Sequence, residues 1–200
     1  MEVSPLTIDG THIRLEPLAK SHSDALYAAA ADGELWNSKV TSVPGSLQAT
    51  AEYIDDALSG QAQGRFLPFA IIRKTSGTVV GTTRYRAIER AHRRLEIGST
   101  WLATSAQRTV VNTEAKFLLL KHAFEVLGCL RVEFLTDVLN EGSRKAILRL
   151  GAKQEGILRY HMVMPGGRQR DSVCYSIVSP EWPEVKAGLE AKLRQSREIT

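Results

Sequence analysis

A strand-like run, Leu95–Leu102, is joined through Gln107–Glu114 to a helix-like run, Ala115–Leu127, and no other feature of the 200-residue chain limits its fold so strongly. A strand that feeds a helix through a short turn presents the unpaired first amides of that helix, at the positive end of its dipole, to any anion in the turn. Arg108 and the hydroxyls of Thr109 and Thr113 add donors to such an anion site. The turn has no glycine, the residue with which phosphate loops let the backbone approach a ligand. Gly-x-x-x-x-Gly-Lys-Ser/Thr and Gly-x-Gly-x-x-Gly are both absent, so neither a P-loop nor a dinucleotide fold is supported. A Gly-x-Ser-x-Gly nucleophile elbow is absent as well.

Around this junction the periodicity predicts an alternation of strands and helices. His12–Pro17 alternates with period two, and Ser21 and Asp24 precede a helix over Ala25–Ala30 that Gly33 ends. Ser46 caps a helix over Leu47–Leu58. Strands follow at Phe66–Arg73, Thr78–Glu89 and Arg94–Leu102, then the helix to Leu127 with Gly128 at its end. Arg131–Thr136 reads as a strand and Glu141–Leu150 as a helix closed by Gly151. A hairpin, Lys153–Met164 and Arg168–Val178, turns at Pro165-Gly166-Gly167, and an amphipathic helix runs from Trp182 to Leu193. This order predicts an α/β (α+β) fold on a mixed sheet of about seven strands, in one domain over residues 1–200.

Composition removes several functional classes. The 26 basic and 22 acidic residues leave a net charge of +4, and the arginines are dispersed, with no basic run interleaved with aromatics, so no nucleic-acid partner is expected. No apolar stretch reaches the roughly 20 residues of a membrane span and the N-terminus lacks a signal-peptide progression, which predicts a soluble cytoplasmic protein. Five histidines without ligand spacing predict no metal. Cys129 and Cys174 read as reduced, packed thiols, and Cys129, without a paired histidine, is not expected to act as a nucleophile.

Leu95-Glu96-Ile97-Gly98, Trp101 at the strand end, Gln107, Asn112-Thr113-Glu114-Ala115, and Asn140-x-x-Ser143 leading to Leu150-Gly151-Ala152 together resemble the GNAT superfamily of acyl-CoA-dependent N-acetyltransferases. Within it the chain is most similar to the RimJ and RimL kind, which acetylate ribosomal-protein N-termini. The resemblance implies a GNAT fold with a splayed fourth strand and acetyl-CoA as co-substrate. It implies pyrophosphate binding by Gln107, Arg108, Thr109, Val110, Val111, Asn112 and Thr113, with Arg144 as a further phosphate contact. Val110 and Asn112 occupy positions where the family pattern has small residues, and a β-branched residue at positive φ is a true outlier. Either Val110 takes negative φ or CoA affinity falls.

By the same resemblance, backbone amides near Thr100, Trp101 and Leu102 meet pantetheine and the thioester carbonyl. Asn140 contacts the pantetheine arm, and Ser143 lies where its hydroxyl can protonate the departing thiolate. Helix capping is an equally good use for both residues. Glu96 is the first candidate for the general base and Glu133 the second. The acceptor groove is expected to involve Leu35-Trp36-Asn37, Lys39–Pro44, Arg84 or Tyr85, and the mobile loop Pro165–Arg168. The implied activity is acetyl transfer from acetyl-CoA to a primary amine, a protein N-terminus or a small amino compound, by direct attack. A CoA-binding protein that has lost turnover is the competing reading, and a homodimer is left open.

Overall fold

The computed structural model describes residues 1–198. Its strands are β1 (Ile8–Asp9), β2 (Ile13–Pro17), β3 (Leu67–Arg73), β4 (Thr78–Glu89), β5 (Arg94–Leu102), β6 (Arg131–Asp137), β7 (Lys153–Val163) and β8 (Gln169–Val178). They form one sheet in the order β1-β2-β3-β4-β5-β6-β8-β7. The eighth strand beyond the expected seven is β1, too short at two residues to show an alternation. All neighbours pair antiparallel except β5 and β6. The helices are α1 (Ser23–Ala31), α2 (Leu47–Ala62), α3 (Val110–Lys121), α4 (Glu141–Leu150) and α5 (Trp182–Glu198).

Two features of the sheet create the site. The parallel pairing of β5 with β6 is confined to Arg94↔Arg131, Leu95↔Val132 and Glu96↔Glu133, after which the strands part. Between the pairs Thr82↔Trp101 and Arg84↔Gly98, β5 carries one residue more than β4. That extra residue makes a bulge, and Ser99 holds it at φ 48°, a backbone conformation rare for any residue but glycine. The expected splay of the fourth long strand is therefore present, and it opens immediately beyond Glu96.

Side chains of successive strand residues leave opposite faces of a sheet, which places the helices. The guanidinium of Arg84 lies 4.9 Å from the ring centre of Tyr53 on α2, whereas the hydroxyl of the next residue, Tyr85, donates to the carbonyl of Leu119 on α3 at 2.5 Å. So α2 covers one face and α3 the other. α5 packs beside α3, with Trp182 stacked on Phe124 at 5.3 Å.

The junction differs from expectation in one respect. α3 starts at Val110, five residues earlier than predicted, because Thr109 caps it: its Oγ1 accepts from the Val111 amide at 3.3 Å and donates to the Ala106 carbonyl at 2.7 Å. The helix then widens into a five-residue π turn, His122–Val126. Within its first turns Glu114 is 4% exposed and its carboxylate accepts from the amides of Thr11, His12 and Ile13 at 2.7, 2.8 and 2.9 Å. One buried carboxylate thus ties α3 to the β1–β2 turn.

Candidate active site

At the apex of the splay Glu96 stands on the α2 face and is 7% exposed. Gly98 makes room for it: a Cβ there would come within 2.5 Å of Glu96 Oε1 and 2.8 Å of Arg86 Cδ. Burial pushes the Glu96 carboxyl up from the usual carboxylate range, Arg86 opposes that shift through an ion pair at 3.6 Å, and Glu133 adds to it. Arg170 and Lys116 pull in the same direction as Arg86 but more weakly. Arg170 donates to Ser172 Oγ at 2.9 Å, and His161 Nδ1 lies 3.0 Å from the same hydroxyl. A buried carboxyl whose affinity for a proton is raised, facing an open strand gap, is a chemically competent proton acceptor.

Glu133, the second candidate, is differently placed. Its carboxylate accepts from Arg131 Nε at 2.7 Å and from Arg94 Nη1 at 3.3 Å, which makes it the centre of an ion-pair cluster. Cys129 is buried, its thiol is pushed up to about 11 mainly by desolvation, and its Sγ meets Met1 Sδ at 3.3 Å. A thiol so far above neutral pH is no nucleophile. Both cysteines are free, and among the described residues no group of three or more His, Cys, Asp or Glu side chains could hold a metal.

In the turn before α3 the left-handed position is not the one expected. The residue at positive φ is Arg108, at 58°, and Val110 is the first residue of α3, in helical conformation. No glycine is demanded there by the backbone path. Gln107 is oriented by its Nε2, which donates to the Leu102 carbonyl at 3.0 Å, and Asn112 and Thr113 lie half-buried in the first turn. Val111 points into the core, 3% exposed. The unpaired amides of that first turn remain directed out of the helix end.

Asn140 caps α4, its Oδ1 accepting from the Ser143 amide at 3.0 Å, while its Nδ2 donates to Thr41 Oγ1 at 3.4 Å. Asn140 therefore caps α4 and ties it to Thr41. Ser143 is half-buried one turn on. Arg144 is half-buried, its Nε donating to Tyr175 Oη at 3.3 Å and its Nη1 to the Val138 carbonyl at 3.1 Å, so it braces the turn between β6 and α4. Thr100 sends its hydroxyl to the α3 face, and Trp101 and Leu102 are 6% and 7% exposed.

Residues 36–43 and 164–168 meet across one groove. Trp36, Ser38, Thr41, Val43, Met164 and Arg168 line a groove of ≈ 490 Å³. Arg168 pins its far wall, donating to the Lys39 carbonyl at 2.9 Å and pairing with the buried Asp137. Trp36 is half-buried and stacks on Tyr27 with ring centres 6.3 Å apart. Tyr85 requires correction: it is fully buried, edge-on to Phe69, and belongs to the core on the α3 face. Arg84 is on the α2 face and 3% exposed, packed against Tyr53 and Phe66. Its Nε, Tyr53 Oη and Trp101 Nε1 are buried on this face with no hydrogen-bond partner among the described residues.

Sequence reading missed Arg86, Arg170 and Lys116. The first two are single arginines in strand patterns, with nothing local to mark them. Lys116 did carry a signal: it stands three and four residues before Leu119 and Leu120, which are fully buried, so it interrupts the apolar stripe of its helix.

The Acetyltransferase (GNAT) domain family matches residues 12–153. The uncharacterized N-acetyltransferase YoaA of Bacillus subtilis (strain 168) is 25% identical over 83% of this chain and 93% of its own length. A crystal structure of a GCN5-related N-acetyltransferase from Brucella melitensis is 34% identical, covers 96% of this chain and 86% of that one, and superposes with a TM-score of 0.87. RimJ of Mycobacterium smegmatis, solved in complex with CoA-disulfide, shares the fold at 22% identity and a TM-score of 0.81, covering 94% of this chain and 95% of that one. Among the described residues no helix is long and apolar enough to cross a membrane.

Proposed function

The chain belongs to the GNAT family and is an N-acetyltransferase; on that premise we propose that it transfers acetyl from acetyl-CoA to a primary amine, a protein N-terminus or a small amino compound, by direct attack in a ternary complex. The observation that carries this reading is the buried Glu96 carboxylate at the apex of the β5–β6 splay, beside the bulge at Ser99. The GNAT fold binds acetyl-CoA and an acceptor. In our reading the pyrophosphate rests on the amides from Arg108 to Thr113, with Gln107 opening the turn, and Asn140 meets the pantetheine arm. Val110 was the one feature in favour of a CoA-binding protein without turnover, and its helical conformation removes that ground.

The chemistry follows from the placement. The amine enters from the groove beside Trp36, and Glu96 or a water it holds accepts its proton as nitrogen attacks the thioester carbon. Negative charge then develops on the carbonyl oxygen, where amides of the bulged segment from Ser99 to Leu102 stabilise it. The tetrahedral intermediate collapses with rupture of the C–S bond, the amide is formed, and the CoA thiolate takes a proton from Ser143, which solvent restores as Glu96 gives up the proton it accepted.

Thiol release from acetyl-CoA, measured against a panel of amines and N-terminal peptides, tests the proposal. Turnover with at least one acceptor is expected, and Ser143→Ala is expected to lower kcat with it. CoA binding without release against the whole panel would instead support a CoA-binding role. A separate variant probes the placement of Glu96. Gly98→Ala is expected to lower kcat by about tenfold or more, because the new methyl displaces the carboxylate, and angstrom-scale misplacement has effects of this order. Since the displaced atoms are side-chain ends, Tm should move by no more than about 3 °C. Wild-type kcat in Gly98→Ala would show that the carboxylate need not occupy that place.

A further inference from the structure

Lys116 is the most unusual charged group in the molecule. It is 6% exposed, on α3, between Ala115 and a run of buried leucines. Its ammonium donates to Thr100 Oγ1 at 2.6 Å and lies 3.5 Å from Thr83 Oγ1, and among the described residues no carboxylate comes within ion-pair distance of it. A buried cation held only by hydroxyls is destabilising, and a residue such as Leu or Met would fill this position better for stability alone. A side chain retained against that penalty is a candidate for function.

Its surroundings say which function. Thr83 on β4 stands opposite the extra residue of β5, and Thr100 follows that residue directly. The two hydroxyls are 2.7 Å apart, and Thr100 Oγ1 also lies 3.4 Å from the Gly98 carbonyl. Lys116 therefore anchors both sides of the bulge at Ser99 from the α3 face. On the opposite face, across the same strand, stands Glu96, the one charge that acts appreciably on Lys116. Cation and carboxylate straddle the bulge.

We infer that Lys116 is a positioning residue for acyl transfer: it fixes the bulge at Ser99 and sets a positive charge behind the backbone amides that receive the thioester carbonyl. The inference rests on the proposed reaction. A fixed charge in a water-poor site stabilises the developing oxyanion without reorganising during the step, so its effect falls on kcat. Burial lowers the Lys116 ammonium to about 7, with Glu96 opposing the shift. The groups that face it are Thr83 from β4 and Thr100 from β5, Glu96 acts on it from the opposite face of the sheet, and Glu114 on its own helix is turned to the amides of Thr11, His12 and Ile13. The cation is thus lost as pH rises past neutrality, and the rate should fall with it.

Lys116→Met, close in volume and without the charge, tests this by steady-state thiol release at saturating acceptor between about pH 6 and 9. The expected variant loses about tenfold or more in kcat, a smaller effect than removing an oxyanion donor outright, with KM for acetyl-CoA within about threefold of wild type. The falling limb near neutral pH should disappear. The rising limb should move to higher pH, since Lys116 is one of the charges that lower the Glu96 carboxyl. Its Tm should equal or exceed that of wild type, which a merely structural lysine would not give. Kcat within about twofold of wild type and an unchanged falling limb would overturn the inference while acetyl transfer stands. If the methionine variant does not fold, Lys116→Gln is read by the same two criteria. No thiol release from the wild type would retire both proposals.

Discussion

Glu96→Gln is expected to lower kcat by about 10²- to 10⁴-fold, the usual contribution of a positioned general base, with little change in KM for acetyl-CoA. The amide keeps the shape of the side chain over Gly98 and cannot accept the proton. In the wild type, activity should fall as pH drops through the raised pKa of Glu96, and in the variant that acidic limb should be gone. Stability should change in the opposite sense. A carboxyl whose folded pKa lies above its unfolded value favours the native state below the unfolded pKa, and that contribution is lost as pH rises through the folded one. At neutral pH wild-type Glu96 is therefore a charge held in an unfavourable place, and Glu96→Gln should melt at the same temperature or higher. A variant that keeps both its rate and its acidic limb would show that another group takes the proton.

Glu114→Ala is expected to destabilise the protein by about 3–5 kcal/mol, the largest effect on stability that we anticipate from a single side chain. Three amides at 2.7, 2.8 and 2.9 Å converge on this carboxylate, and hydrogen bonds to an ionised acceptor are roughly twice as strong as neutral ones. Removing it takes the carboxylate acceptor from the amides of His12 and Ile13 and opens a void against Leu118 and Gly10, both of which lie on this contact. For a chain of this length the loss corresponds to a fall in Tm of about 6–20 °C, measurable by thermal melting followed by circular dichroism. The β1–β2 turn should then exchange its amide protons faster than the rest of the sheet. A loss below about 1 kcal/mol would mean that water replaces the carboxylate at little expense.

The two residues fared differently at the level of sequence. Glu96 was legible as a candidate because an acidic residue between Leu95 and Ile97 interrupts a buried strand. Glu114 was visible only as part of a helix start. Its partners lie about a hundred positions away in the chain, and no local pattern encodes a contact of that range. Arg84 and Tyr85 show the same limit in another form. Period two says that neighbours on β4 face opposite ways, but which of them faces the acceptor depends on which helix covers which face. That put Tyr85 into the core against Phe69 and left Arg84 on the side of α2.

The sequence by itself determined the order of strands and helices, the caps at Ser46 and Asn140, and the family, because periodicity, capping and motif order are properties of short stretches of chain. Only the tertiary structure decided that Arg108 and not Val110 takes the left-handed conformation, that Glu133 and Arg144 belong to internal bonds, and that Lys116 lies behind the Ser99 bulge. These depend on burial and on partners brought in from distant segments. Desolvation and Coulomb interactions act through space, and the sequence carries no measure of that distance.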